Sequence, residues 1–310
     1  MNSEKFRLVT RSDFDGLVCA VLLNELELID DIKFVHPKDM QDGKIEITGR
    51  DITTNLPYVA AAHLCFDHHE SETLRNTGER KNHIIIASAP SAARVVYDYY
   101  GGKAAFPRIS DDMMAAVDKA DSAQFTLDEI LHPKDWVLLN YLMDSRTGLG
   151  RFREFRVSNY QLMMDLIRYC RDHSIEQILR LPDVVERVEL YFEHEAKARE
   201  QIQRCAKVYG NLVVLDLRGE DTIWAANRFL IYALYPQCNI SIHQMWGVQK
   251  QNTVFATGKS ILDRSSKTDI GALMLRFGGG GHHAAGTCQV ANDQADATLA
   301  ALIQQINQDG

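Results

Sequence analysis

An acidic residue followed by two histidines, Asp67-His68-His69, carries the clearest chemical signal in the sequence. These residues come directly after the apolar run 60–66, which is typical of a short buried strand. Open α/β folds place their chemistry on loops at the carboxyl ends of such strands. A carboxylate with two imidazoles there indicates a metal site, whereas adjacent histidines without such a context are more often surface polar groups.

Carboxylates recur where other predicted elements end: Asp13 and Asp15 after the strand-like run 5–10, Asp51 after the run 45–48, and Asp118 and Asp121 near the end of the helix 113–117. Residues two apart at an extended strand end point the same way, so Asp13 and Asp15 can converge. Oxygen and imidazole ligands gathered at several strand ends suit Mn²⁺ or a similar divalent ion, and the sequence has no C-x-x-C pair of the kind that binds structural zinc.

A second chemical signal lies near the carboxyl terminus. Four consecutive glycines, Gly278–Gly281, are followed at once by His282 and His283, and the run Arg264-Ser265-Ser266-Lys267 comes shortly before them. Glycine backbone N–H groups can approach an anion closely because no side chain blocks them. The glycines alone would suggest only a flexible turn, but with the neighbouring histidines and cations they predict a clamp for a phosphate or a terminal nucleotide.

These motifs resemble the DHH phosphoesterases that carry a C-terminal DHHA1 domain. Five motifs occur in the family's order: Asp-x-Asp-Gly at 13–16, Asp51, Asp67-His68-His69, Asp121 and the glycine-rich run 278–286. The resemblance spans nearly the whole chain and is greatest to the smaller phosphodiesterases and oligoribonucleases, some of them exopolyphosphatase-related. It implies an α/β protein with a DHH catalytic domain over 1–190, a linker helix over 191–210 and a smaller α/β DHHA1 domain over 211–310, with the substrate in a cleft between the domains.

The resemblance also assigns roles to individual residues. The metal ligands would be Asp13 for one ion, Asp15 for the other, Asp51 as a bridge, and His68 and Asp121 completing the second ion's shell, with Asp118 as the alternative to Asp121. His69 would face the substrate as phosphate ligand or proton donor, and Asp67 would orient the neighbouring imidazole. The substrate-binding residues of the second domain would be Arg264, Ser265, Gly280, Gly281, His282 and His283, and either histidine could make the contact.

The first motif departs from the family pattern. Many members have a histidine or aspartate two or four residues before the first aspartate, where this chain has Arg11 and Val9. Three alternatives follow: one ion binds weakly, or it recruits His36 or water, or Arg11 itself neutralises charge on the phosphate. The expected cofactor is therefore one or two Mn²⁺ ions, with Mg²⁺ or Co²⁺ as substitutes.

Alternating apolar runs position these groups. Strand-like and helix-like stretches alternate up to about residue 101, which predicts a mostly parallel sheet covered by helices. The segment 109–208 is predicted to be mostly helical. A second α/β unit follows, with strands over 211–216, 238–246 and 253–257 and helices over 224–230, 268–275 and 293–303.

Charge and composition narrow the substrate and the compartment. At 310 residues with a net charge of −8, the chain is long enough for two domains and lacks the broad basic surface that long nucleic acids require. Its six scattered cysteines fit a reducing compartment, and neither an apolar leader nor a membrane-spanning run occurs. We expect a soluble cytoplasmic protein without membrane or long nucleic-acid partners, and we leave a homodimer open.

The sequence thus predicts a Mn²⁺-dependent phosphodiesterase that cleaves short linear oligonucleotides, 5′-phosphorylated dinucleotides in particular, to mononucleotides. A second hypothesis is an exopolyphosphatase or nucleoside 3′,5′-bisphosphate phosphatase, which would use the same metals. A third is a nucleotide-binding regulator with weak catalysis. Only a base-stacking pocket would separate the first two, and Tyr97, Tyr99 and Trp246 are candidates for stacking, although core packing explains each of them.

Overall fold

The chain forms two units, each with its own sheet. The computed structural model describes residues 5–69, 72, 78 and 80–310. One unit comprises Met1–Gln124 and Pro133–Leu190, and the other comprises Phe125–His132 and Tyr191–Gly310. Among the described residues, no helix has both the length and the apolar composition that crossing a bilayer requires.

The first unit contains a five-stranded sheet in the order β2-β1-β3-β4-β5. The strands are β1 (Phe6–Arg11), β2 (Ile29–Val35), β3 (Asp51–Thr54), β4 (Leu64–Asp67) and β5 (His83–Ile85). Every pairing between them is parallel. The predicted parallel sheet is confirmed, and because all its strands run the same way, their carboxyl ends form one edge.

Helices cover this sheet: α1 (Phe14–Glu25), α2 (Pro37–Gln41), α3 (Ala92–Tyr99), α4 (Asp111–Asp121), α6 (Asp135–Met143), α7 (Asn159–Asp172), α8 (Ile175–Ile178) and the first part of α9 (Pro182–Cys205). Helix α1 is buried over its first ten residues and packs against β1, α3, α4 and α7. It begins directly after the carboxyl end of β1, and its N-cap is Asp13, whose side chain accepts a hydrogen bond from Gly16 N. The burial of α1 therefore fixes the first acidic motif relative to the sheet.

The second unit contains a six-stranded sheet in the order β10-β11-β9-β8-β7-β6. Its strands are β6 (Ala206–Tyr209), β7 (Leu212–Asp216), β8 (Ile240–Trp246), β9 (Thr253–Lys259), β10 (Gly280–His282) and β11 (Ala285–Val290). Only β7 and β8 pair in parallel. Its helices are α5 (Leu127–Leu131), the end of α9, α10 (Leu230–Leu234), α11 (Ile270–Leu275) and α12 (Ala295–Asp309). Five further short 3₁₀ turns complete the described chain: Gly102–Ala104, Ser145–Thr147, Leu149–Arg151, Val248–Lys250 and Asn292–Gln294.

The predicted strand 45–48 is wrong, and the error changes the position of an acidic residue. Residues 46–48 have no regular structure, and strand β3 begins only at Asp51. The apolar side chains of Ile45 and Ile47 instead pack against a small core cluster that includes Val9 and Val35. Asp51 therefore lies at the amino end of a strand rather than after its carboxyl end.

Three smaller predictions about local structure are also corrected. Residues 206–209 of the predicted linker helix form strand β6. The helix predicted over 224–230 begins only at Leu230. The N-cap of α11 is Asp269 rather than Thr268, and its side chain accepts from Ala272 N.

The glycine run of the second unit is required by packing. A Cβ on Gly279 would lie 2.0 Å from the carbonyl oxygen of Thr287, and one on Gly281 would lie 2.3 Å from that of Ala285. Strand β10 therefore approaches β11 too closely for a side chain at either position. Gly280 has open space where its Cβ would be, so packing gives no reason for glycine there.

Candidate active site

Three neighbouring parallel strands end at one edge and place polar residues there. Thr10 of β1 pairs with Thr54 of β3, which in turn pairs with Phe66 of β4. The residues that follow these strands include Asp13, Asn55 and His68. The sheet register therefore brings together side chains that are up to 55 residues apart in sequence.

A cluster of three potential metal ligands forms at this edge. One ligand atom each from Asp15, His68 and Asp121 lie within 4.8 Å of one another. Asp15 lies in the first turn of α1, His68 follows β4 and Asp121 is the last residue of α4. The structure thus groups three of the five predicted metal ligands in one place.

Asp15 is held by the amino terminus of another helix. Its two carboxylate oxygens accept hydrogen bonds from Ala92 N, at 3.0 Å, and Ala93 N, at 2.8 Å, in the first turn of α3. These amides and the helix dipole favour the carboxylate. Burial nevertheless raises the pKa of Asp15, and the nearby charge of Asp121 raises it further. The site therefore holds a carboxylate that a further positive charge would stabilise.

His68 is oriented with one ring nitrogen toward the acids. Its Nδ1 lies 3.1 Å from the carbonyl oxygen of Ala89, to which it donates, and its Nε2 lies 2.8 Å from Asp121 Oδ2. Burial by itself lowers the pKa of His68, but the Asp121 carboxylate outweighs burial and raises it to about 9. Burial disfavours the charged form of Asp121, but the neighbouring His68 outweighs burial and lowers the pKa of Asp121.

This donor set fits a divalent cation. Two carboxylates and one imidazole are ligands that Mn²⁺ accepts, and His68 Nε2, although 2.8 Å from Asp121 Oδ2, is buried without a hydrogen-bond partner in the described part of the chain. Among the described residues, Asp67 Oδ2 and Asn55 Oδ1 at the same edge are buried without a hydrogen-bond partner. Such orphaned oxygens are uncommon in folded proteins and support a missing positive group.

Asp67 orients His69. Its Oδ1 accepts hydrogen bonds from His68 N, at 2.8 Å, and from His69 Nδ1, at 2.7 Å. Burial works against a charged imidazole, but the Asp67 carboxylate raises the pKa of His69 above its ordinary value. With Nδ1 fixed in this way, Nε2 is the ring atom that can exchange a proton with a substrate.

Asp13 is engaged by cations and amides. Its Oδ2 lies 2.8 Å from Arg11 Nε, and its Oδ1 accepts from Gly16 N, at 3.0 Å, and from Asn55 Nδ2, at 3.3 Å. Burial raises the pKa of Asp13, which Arg11 and Arg146 counteract. The metal role predicted for Asp13 therefore competes with an ion pair to Arg11.

The sequence interpretation missed Asn55 and Arg146. An uncharged amide is not a typical metal ligand, so Asn55 gave no chemical signal, although it follows two threonines at a strand end. Arg146 is bound to Asp144 through its Nε at 2.7 Å, and its charge acts on Asp13 and Asp121. Its proximity to these acids comes from tertiary folding, for which the sequence around residue 146 gives no indication.

Asp51 does not belong to the cluster, contrary to the predicted bridging role. It pairs with Arg7 across β1 and β3, at the opposite edge of the sheet from Asp13. Its oxygens accept from Arg7 Nε at 2.6 Å, from Arg7 Nη2 at 3.0 Å and from Thr48 N at 2.6 Å. These contacts lower the pKa of Asp51 in spite of its burial. Asp51 therefore forms a structural ion pair with Arg7.

Two further alternatives are settled by position. The Oδ2 atom of Asp118 accepts two hydrogen bonds from Arg94 and its Oδ1 accepts one from Ser91, so Asp121 rather than Asp118 joins the cluster. His36 Nδ1 accepts from Lys38 N, and His36 lies outside the cluster.

The predicted anion clamp of the second unit lies on exposed chain. Arg264, Ser265, Gly281, His282 and His283 are all exposed, and Gly280 is half-buried. Lys259 connects the two segments, because its Nζ donates to Ser266 O at 2.9 Å and lies 2.8 Å from His283 Nε2. Sequence reasoning missed Lys259, which is the last residue of β9 and lies five residues before Arg264.

Comparison with known proteins establishes the family to which this chain belongs. No protein-family model matches the chain, and no curated protein does either. The solved structure of CDC45 from Entamoeba histolytica shares the fold, with a TM-score of 0.52 at 9% identity over 98% of this chain and 95% of that one. A far closer match completes the identification: this chain belongs to the DHH/DHHA1 phosphoesterase family, as its motifs predicted.

That match is PggH from Vibrio cholerae, described as a pGpG-specific phosphodiesterase. It is 68% identical over 99% of this chain and 100% of its own, with a TM-score of 0.86. At this identity the two chains share one fold, and this chain is a phosphodiester hydrolase.

We expect substitutions of Asp121 and Asp51 to have different effects, one on Mn²⁺ binding and the other on stability. Asp121→Asn should weaken Mn²⁺ binding by about 10-fold or more, since it removes a charged ligand. Asp51→Asn should leave Mn²⁺ binding unchanged and lower the free energy of unfolding by about 2 kcal/mol, because charged hydrogen bonds to Arg7 are lost. Titration of Mn²⁺ followed by EPR and urea unfolding measure the two quantities. Weaker Mn²⁺ binding by Asp51→Asn would contradict this assignment and indicate that Asp51 is a metal ligand.

Proposed function

We propose that this protein hydrolyses pGpG and similar 5′-phosphorylated dinucleotides to mononucleotides with Mn²⁺ as its cofactor. The substrate follows from the 68% identity to a pGpG-specific phosphodiesterase. The observation that carries the proposal for the chemistry is the Asp15, His68 and Asp121 cluster at the sheet edge, with His69 next to it.

Different residues of the cluster and its surroundings would meet the different chemical requirements of phosphodiester cleavage. Asp15, His68 and Asp121 would hold the metal ion, which when bound supplies Lewis-acid activation of water and charge neutralisation. His69, held at Nδ1 by Asp67, would donate a proton from Nε2 to the leaving oxygen. The buried position of Asp67 keeps this imidazole in one orientation.

We propose further that Arg11 takes the place of a second metal ion. Its guanidinium is fixed by Asp13 at 2.8 Å and about a third of its side chain is exposed, so its remaining N–H groups can reach a phosphoryl oxygen. Asp13 is neutralised by this pair, and its neighbour Asn55, which donates to Asp13 Oδ1, adds no negative charge there. The site then requires one ion for each chain.

In the second unit, the proposed ligand is the terminal phosphate of the dinucleotide. Arg264, Lys259 and His283 would supply positive charge or hydrogen-bond donors, and Gly280 and Gly281 would allow close approach of the backbone, with Ser265 and His282 as further donors. The exposure of Arg264, Ser265, Gly281, His282 and His283 supports this role. The charge of −8 over the whole chain favours a short substrate over a long strand.

The substrate proposal predicts rapid cleavage of pGpG by the purified protein with Mn²⁺. A longer RNA, a nucleoside 3′,5′-bisphosphate and polyphosphate should be cleaved slowly or not at all, and EDTA should abolish turnover. His69→Ala should lower kcat by about 10²-fold to 10⁴-fold because the proton donor is lost. The matched control is His132→Ala, which alters an exposed histidine of the other unit.

Mononucleotide release, resolved by chromatography, is the readout for that comparison. Faster turnover of polyphosphate than of pGpG would contradict the proposed substrate. Tight binding of pGpG without turnover would support the regulator hypothesis instead.

Replacing Arg11 tests the assignment of a single ion. Arg11→Ala should lower kcat by about 10²-fold to 10³-fold, since a fixed charge at the phosphoryl group is lost. The number of bound Mn²⁺ ions, measured by elemental analysis after dialysis, should be one per chain in both proteins. Arg50→Ala is the control, because this exposed arginine belongs to the same unit. Two ions per wild-type chain would contradict the proposal.

A further inference from the structure

A cavity of about 360 Å³ lies in the first unit beside the active site. Its walls come from the end of β2, from α6, from α7 and from the loop after β1. Most of the wall is apolar: Leu139, Leu142, Met143, Leu162, Met163 and Leu166. Concave pockets of this size that are lined mainly by apolar side chains and carry a few polar groups are typical of ligand sites. The cavity is therefore better explained as a ligand pocket than as a packing defect.

Two aromatic rings stand at the cavity. Phe34 of β2 and Tyr160 of α7 meet edge to face with ring centroids 6.1 Å apart. The Tyr160 hydroxyl donates to Ile32 O at 3.2 Å, which holds the ring in place although half of the residue is exposed. A flat partner can stack on such fixed rings at little entropic cost. This combination of apolar walls and aromatic faces is typical of sites for flat organic ligands.

The cavity adjoins the acidic cluster through one side chain. Arg11 lines the cavity and also pairs with Asp13 at 2.8 Å, and Asp13 is two residues from the cluster member Asp15. A substrate whose phosphorus lies at the cluster would therefore have the group attached to that phosphorus next to the cavity. The mouth is accessible, because Ser12, His36 and Ser145 are exposed.

We propose that this cavity binds one nucleobase of the substrate and thereby aligns the scissile phosphodiester with the cluster. The inference rests on the proposed function for the location of the phosphate. At about 360 Å³ the cavity is at the small end of ligand pockets and can hold one nucleoside but not two. Polyphosphate has no apolar or flat group, so it would gain nothing from these walls. The pocket thus provides the feature that separates a dinucleotide hydrolase from a polyphosphatase.

The test compares ligands with and without a base. Isothermal titration of the Mn²⁺-loaded protein with GMP and with ribose 5-phosphate should show GMP binding at least about 10-fold more tightly. Phe34→Ala removes a stacking face, and Ser145→Trp fills the mouth from an exposed position. Both substitutions should reduce the advantage of GMP about fivefold or more and leave ribose 5-phosphate binding unchanged. Phe192→Ala, which alters an exposed aromatic residue of the other unit, should behave as wild type.

Thermal melting and Mn²⁺ stoichiometry establish that each variant is folded. Equal affinity for GMP and ribose 5-phosphate in the wild-type protein would overturn the proposal, as would unchanged GMP binding in both cavity variants. Because these are binding measurements, they separate the two claims. A protein that fails to cleave pGpG but shows the predicted GMP pattern loses the proposed function and keeps the pocket.

Discussion

The burial of Asp15 against the first turn of α3 is the constraint on which the site depends. Two backbone amides hold its carboxylate, and the helix that carries it is buried along its first ten residues. Asp15 cannot turn away from Asp121, and two carboxylates held this close in a partly dry site need a compensating cation. In the protein alone, the His68 imidazole, with Nε2 2.8 Å from Asp121, supplies part of that compensation. A divalent ion would supply all of it.

Positive charge around the cluster is arranged asymmetrically. On one side Asp15, His68 and Asp121 leave ligand atoms converging on one point, while on the other Arg11 and Asn55 already satisfy Asp13. An arginine is a fixed cation that needs no loading from solution, and its planar donors match phosphoryl oxygens. In the proposed mechanism, Arg11 therefore preserves charge near the substrate, and the site would hold one ion instead of two.

Much of this arrangement could be predicted from the sequence. The motifs at Asp13, Asp15, Asp67 and Asp121 are local, and a parallel sheet brings strand ends together whatever the details of packing. Asp51 was misplaced because the apolar pattern of Ile45 and Ile47 is the same for a strand and for an irregular segment that packs on a core. Strand β3 begins six residues later than predicted, at Asp51. Asp51 therefore lies at the edge of the sheet opposite to the cluster.

Other parts of the site carry no local signal. Asn55 resembles an ordinary turn residue, and its importance lies in the contact with Asp13, 42 positions away. The cavity depends on Phe34 and Tyr160 meeting across more than 100 residues. The glycine run was interpreted, together with the neighbouring histidines and cations, as part of an anion clamp, yet Gly279 and Gly281 are required by the close approach of β11. Such features follow from tertiary packing, so the amino-acid pattern alone does not reveal them.

The most direct test of this account is a crystal structure of the protein grown with Mn²⁺, with the ion located by its anomalous scattering. The account predicts one peak per chain, bonded to Asp15, His68 and Asp121, with Arg11 still paired to Asp13. Two peaks bridged by a shared carboxylate, or a single peak bonded to Asp13 with Arg11 displaced, would contradict it.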